Sequence, residues 1–203
     1  MKLTHALVPL LGLSAYASPH ALVKRAAAPI NAGAIALIEG LEGFRPNFYT
    51  INGDQTIGFG HDCTQLKDCA SIHPPITKAQ GTTLLMSDLK TYESCVCALP
   101  NAANLNANQY GALVSFTYNS GCSGTKKYFG ADMQSSNFAG ICTSLPTTNT
   151  LNGELSKRRA KEGAFCGQAT TAKSGCGGST PTKPTPSHSP SPKPKARRDS
   201  QDF

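Results

Sequence analysis

The stretch FYTINGDQTIGFGH, Phe48 to His61, decides how this chain is read. Asn52-Gly53 is the strongest short pair for a two-residue hairpin loop, so its flanks are predicted as two antiparallel strands. That loop sets the register. Tyr49 faces Thr56; residues 49, 51, 54, 56, 58 and 60 share one face, and 48, 50, 55, 57, 59 and 61 share the other. Ile57 and Phe59 then pack inward, which leaves Thr56, Gly58 and Gly60 as a surface with small side chains or none. Glycine in a strand costs backbone entropy and packs nothing. Either an extended polymer such as a glycan lies on this surface, with the Thr56 hydroxyl free to hold a water, or the glycines serve tight hairpin packing.

Outward from the hairpin the periodicity is helical. Helices are predicted over Ala34 to Leu41, Thr77 to Ala98 with a Thr cap after Ile76, Leu105 to Tyr118, and Leu155 to Phe165. On the second of these, Leu84, Leu85, Leu89, Tyr92 and Val96 fall along one side. No other β signal is clear, so the fold class is α+β and mainly helical, with a small hairpin attached to a helical body. On the first helix, Ala34, Ile35, Leu37, Ile38 and Leu41 centre on one side. Glu39 falls about 130° from that centre and reads as a solvated charge; Glu42 falls about 70° away, at the edge, beside the Gly43 that ends the helix. A carboxyl at such an edge is partly desolvated, which favours its proton-carrying form, as general acid catalysis requires. The plainer alternative is a rim salt bridge.

The formal net charge of +7 is not a property of the helical body. Residues 26–170 carry ten basic and ten acidic groups, and the excess lies in the two terminal segments. Nucleic-acid binding is therefore not implied. At the start, Lys2, the apolar run Ala6 to Leu13 and Ala15-Tyr16-Ala17 have the pattern of a secretory signal peptide (1–17), too short to span a membrane. Residues 18–25 end in the dibasic Lys24-Arg25, which resembles a processing site of fungal secretion. From Thr171 to Phe203 the chain turns to Ser, Thr, Lys and Pro and is predicted to stay outside any core. One domain over 26–170 remains. Eight cysteines follow the signal segment, an even set suited to an oxidising compartment and up to four disulfides in one of 105 pairings. The rival zinc reading lacks two CxxC knuckles.

Four blocks in order, LIEGLEGFRPNFY…QTIGFGH, ITKAQGTTLLMSDLKTYE, LNANQYGALVSFTYNSG and GELSKRRAKEGAFC, resemble the phage-type lysozymes (endolysins, glycoside hydrolase family 24) over most of Leu37 to Cys166. The resemblance implies a two-lobed lysozyme-like fold and hydrolysis of the β-1,4 bond between N-acetylmuramic acid and N-acetylglucosamine in bacterial peptidoglycan. It implies Glu42 as the general acid and Thr56 as the residue that positions water. It further implies Gly58, Tyr118 and Asn119 as glycan-binding positions, His61 as a supporting residue, and Arg159 as the arginine that approaches the catalytic glutamate. Where the family usually has an aspartate, six residues before the threonine, this chain has Thr50; Asp54 is the nearest acid on the face of Thr56. No cofactor or metal is implied. The expected partners are peptidoglycan glycan strands, with no nucleic acid and no stable membrane association, and the expected form is a secreted, extracellular monomer. The competing reading is a non-hydrolytic glycan-binding protein on the same scaffold; a membrane-active basic tail ranks last, because that segment lacks an amphipathic pattern.

Overall fold

In a computed structural model, which describes residues 27–177, the first helix runs Ala32–Glu42 (α1). The Asn31 side chain opens it by accepting from the Ala34 amide at 2.8 Å. Gly43, at φ 73°, closes it with an N–H to the Glu39 carbonyl. The hairpin follows as β1 (Arg45–Ile51) and β2 (Asp54–Gly58), with Tyr49 opposite Thr56 and Ile51 opposite Asp54. A third short strand, β3 (His61–Asp62), pairs antiparallel with β2, so the sheet has three strands rather than two. A two-residue strand carries no periodicity, which is why sequence reading passes over it.

After the one-turn helix α2 (Cys63–Leu66), α3 spans Lys78–Cys97 with a reciprocal Thr77/Gln80 capping box. The helix predicted to stop at Tyr118 continues to Gln134 as α4 (Ala107–Gln134), broken only at Gly121, where φ is 75°. Beyond it lie α5 (Phe138–Ser144), not foreseen in the sequence, and α6 (Ser156–Cys166). The first part of α4 is the centre of the molecule: Ala107 to Thr117 are almost all buried, against Ala34 and Ile38 of α1, Leu85 and Leu89 of α3, and Cys166 of α6. Ile57 and Phe59 are buried as the hairpin register predicts.

All eight cysteines pair, as Cys63–Cys69, Cys95–Cys122, Cys97–Cys176 and Cys142–Cys166. The third of these corrects the domain edge. Residues 171–177 belong to the folded body: Ser174 N donates to the Leu105 carbonyl at 2.9 Å, Ala107 N to the Ala172 carbonyl at 2.9 Å, and Ala28 N to the Gly175 carbonyl at 3.0 Å. The predicted signal peptide, the processing site and nearly all of the Pro-rich tail lie outside the described residues. Among the described residues, no helix is long and apolar enough to cross a membrane.

Candidate active site

A cleft of about 870 Å³ opens between the sheet and α3, with Glu42 at the end of α1 on its wall. The sheet supplies Arg45, Tyr49, Ile51 and Asp62; α3 supplies Leu84, Ser87, Asp88, Thr91 and Tyr92; α4 supplies Tyr118. The α3 residues recur at helical spacing, a polar stripe beside the buried one. Leu85, Leu89 and Val96 are core as predicted, whereas Leu84 and Tyr92 line the cleft. Tyr92 meets Tyr118 edge to face at 5.2 Å, and the Arg45 guanidinium lies 4.4 Å over the Tyr49 ring. The Tyr118 hydroxyl donates to the Phe59 carbonyl at 3.2 Å, and burial pushes its pKa up. These rings give the cleft flat apolar faces.

Glu42 is held from behind. Arg158 Nη1 donates to its Oε1 at 2.8 Å, and the same guanidinium donates to Glu162 Oε1 at 3.0 Å and to the Ser115 carbonyl at 3.2 Å. This corrects the resemblance, which placed Arg159 against the glutamate. Arg159 points into the core with no exposure; it bonds Glu162 at 2.6 Å, Asn119 Oδ1 at 2.5 Å and the Thr148 carbonyl at 3.1 Å, and lies 4.4 Å over the Phe116 ring. Successive positions on a helix differ by about 100°, so adjacent arginines take different tasks. Arg158 reaches Glu42 while Arg159 anchors Glu162. Among the described residues, no hydrogen bond reaches the second oxygen of Glu42. Glu39, expected in solvent, is held instead by Thr82 at 2.5 Å and Lys78 at 3.2 Å.

The glycine strand divides between the two readings offered above. A side chain on Gly58 would meet the Gly81 backbone of α3 at 3.4 Å, so Gly58 serves close packing and is not part of the cleft wall. Gly60, at φ 95° and close beneath the Tyr118 hydroxyl, does line the cleft. Thr56 is buried and does not line the cleft, its hydroxyl making only a long 3.5 Å contact to the Asp54 carbonyl. Asn119 is exposed on α4, yet it does not line the cleft and its side-chain oxygen is committed to Arg159. Asp54 is bonded to Gln65 Nε2 at 3.1 Å outside the cleft lining. Thr50 is exposed, on the face opposite Tyr49.

His61 was expected to support the site, and the structure shows its surroundings. Nδ1 lies 3.0 Å from both oxygens of Asp88, and Nε2 lies 3.2 Å from those of Asp68. Carboxylates only accept, so this geometry fits an imidazolium that donates from both nitrogens. The Asp88 hydrogen bond raises the His61 pKa, with burial working against it and Asp68 adding to it. None of Arg158, Tyr49, Tyr92, Asp88, Asp68 or Asp62 stands out from spacing alone; the α3 stripe at 84, 87, 88, 91 and 92 was the signal available.

The Phage lysozyme family profile matches residues 39–162, more than half of the chain. A SAR-endolysin of Haemophilus phage HP1 (strain HP1c1) is 30% identical over 150 residues, covering 66% of this chain and 78% of that protein. A crystal structure of a mutant P22 lysozyme superposes with a TM-score of 0.59 at 25% identity, covering 68% of this chain and 97% of that one. The muramidase domain of SpmX from Asticaccaulis excentricus shares the fold, with a TM-score of 0.57 at 21% identity over 69% of this chain and 98% of that one. The chain belongs to the phage lysozyme family. It is a glycoside hydrolase, with peptidoglycan lysozyme activity in general.

Proposed function

We propose that this protein is a secreted muramidase that cleaves the β-1,4 bond between N-acetylmuramic acid and N-acetylglucosamine, acting on bacterial cell walls outside the cell. The observation that carries the reading is Glu42. Among the described residues it is the one glutamate lining a cleft walled by Tyr49, Tyr92 and Tyr118, fixed through one oxygen by Arg158 and open at the other. In this reading a glycan strand lies in the cleft, and the free oxygen of Glu42 delivers a proton to the glycosidic oxygen as the bond breaks. Thr56 positions the water that attacks the anomeric carbon. Arg158 keeps the carboxyl oriented through the cycle. The four disulfides support an extracellular site of action, since such bonds persist in oxidising compartments. The signal-like start of the chain supports the same location.

The test compares the native protein with Glu42→Gln on purified peptidoglycan, following new reducing ends and turbidity. Loss of a general acid lowers the rate by about 10²–10⁴-fold, with wall binding retained. Native protein that binds the wall and releases no reducing ends would replace the muramidase reading with glycan binding alone.

A further inference from the structure

We infer that Asp62 is the second carboxylate of the reaction, the base that takes the proton of the attacking water; the inference rests on the muramidase reading above. Strand register carries it first. Tyr49 pairs with Thr56 and Thr56 with Asp62, so the three stand in one row across β1, β2 and β3. Residues directly opposite one another project to the same face with Cβ atoms about 4.5–5.5 Å apart. Tyr49 and Asp62 both line the cleft with Glu42, and the register puts Thr56 between them in that row, although Thr56 is itself buried and not among the lining residues.

Elimination carries it second. Four carboxylates line the cleft: Glu42, Asp62, Asp68 and Asp88. Glu42 is engaged by Arg158, and Asp68 and Asp88 are both engaged by His61. Asp62 meets no cationic side chain among the described residues. Its Oδ1 accepts the Gln65 amide at 3.0 Å, capping α2 and fixing the side chain, while its Oδ2 makes no hydrogen bond among the described residues. Thr50 is on the far face, and Asp54 is bonded to Gln65 outside the cleft lining. The third strand thus supplies from the neighbouring edge the acid that the first strand lacks.

In the step so described, Glu42 gives its proton to the glycosidic oxygen, and the bond from that oxygen to the anomeric carbon breaks with its electron pair on the oxygen. A water between the Thr56 hydroxyl and Asp62 Oδ2 bonds to the carbon from the opposite side, inverting it, as its proton passes to Asp62. Asp62 then releases that proton to solvent, and Glu42 takes one up.

The experiment measures reducing-end release from purified peptidoglycan by native protein, Asp62→Asn, Asp62→Ala and Asp54→Asn. Asparagine caps a helix as well as aspartate does, so Asp62→Asn keeps the Gln65 contact and removes the base. The expected result is a kcat lower by about 10²–10⁴-fold, with KM and Tm near native and Asp54→Asn close to the native rate. Azide entering the space left in Asp62→Ala restores cleavage, read as loss of turbidity and as a glycosyl azide of inverted configuration in place of a reducing end, whereas azide does nothing for Glu42→Gln. Native-like kcat in Asp62→Asn overturns the assignment and leaves the muramidase reading standing. So does a loss seen mainly in KM or Tm without azide rescue, which makes Asp62 a structural or binding residue. If the native protein itself releases nothing, the muramidase reading fails and the assignment falls with it.

Discussion

The cleft has two supports built on opposite principles. Behind Glu42, a chain of charges runs from Arg158 through Glu162 to Arg159, with both side chains of the last pair at 0% exposure. Across the cleft, the sheet is three short strands whose last is tied to α3 by His61 between Asp68 and Asp88, carboxylates at 38% and 12% exposure. The first support is made of arginine and buried glutamate. The second depends on a histidine proton. One side of the cleft is therefore fixed by burial, and the other by protonation and a small disulfide loop.

The largest effect on that contrast is expected from Arg159→Met. Breaking a buried ion pair by removing one partner costs about 3–5 kcal/mol, here from a side chain that also covers the Phe116 ring. Urea unfolding checks it; a cost under about 1 kcal/mol, the level of an exposed pair, would erase the distinction between the two supports. Next is the Cys63–Cys69 loop, which carries Asp68 on a sequence separation of 6. Replacing both cysteines by serine costs about 2 kcal/mol on loop-closure entropy, read as a lower Tm. If the sheet side is the weaker, hydrogen exchange at β3 should rise in this variant while the amides of α6 keep their protection.

The smallest effect is the pH term. The His61 pKa is raised in the folded state, so the folded protein binds that proton more tightly than the unfolded chain. Its contribution to stability is complete below about 6.5, the ordinary value, and is lost as pH rises through the raised folded value. A Tm series from pH 6 upward should fall in the native protein more steeply than in His61→Asn. Parallel slopes would show that His61 adds nothing to the pH dependence. Glu93 acts in a lower window: burial raises its pKa, against the hydrogen bond from Ile30 N at 2.9 Å, so its term declines from about 4.5 upward.

Much of this was legible in the residues. Asn52-Gly53 set the Tyr49–Thr56 register, Gly43 ended α1, and the Thr77 cap opened α3, because each is a local interaction that needs no distant partner. What stayed hidden depended on distance or on a single helical step. The α4 helix resumes immediately beyond the Gly121 break, where Asn119-Ser120-Gly121 reads as a stop. The α5 helix is made of Phe-Ala-Gly-Ile-Cys-Thr-Ser, residues that apart from Ala139 have weak helical preference, opened by an Asn137 cap. Which arginine meets Glu42 turns on the phase of α6 against α1, and which glycine meets solvent turns on where α3 packs. The disulfide pairing is likewise a product of the finished fold. The residues of the candidate site were thus easier to collect than to orient.

The Cys97–Cys176 bond has a mechanical meaning. It closes a covalent ring that contains α4, α5 and α6 whole, and with them both arginines behind Glu42. Tension on the chain beyond Cys176 passes through the sulfurs to the end of α3 and goes around that ring, so those helices carry no load. Tension on the chain before Ala28 pulls first on its hydrogen bond to Gly175. A protein pulled from both ends would yield at its termini while the support of Glu42 stayed slack.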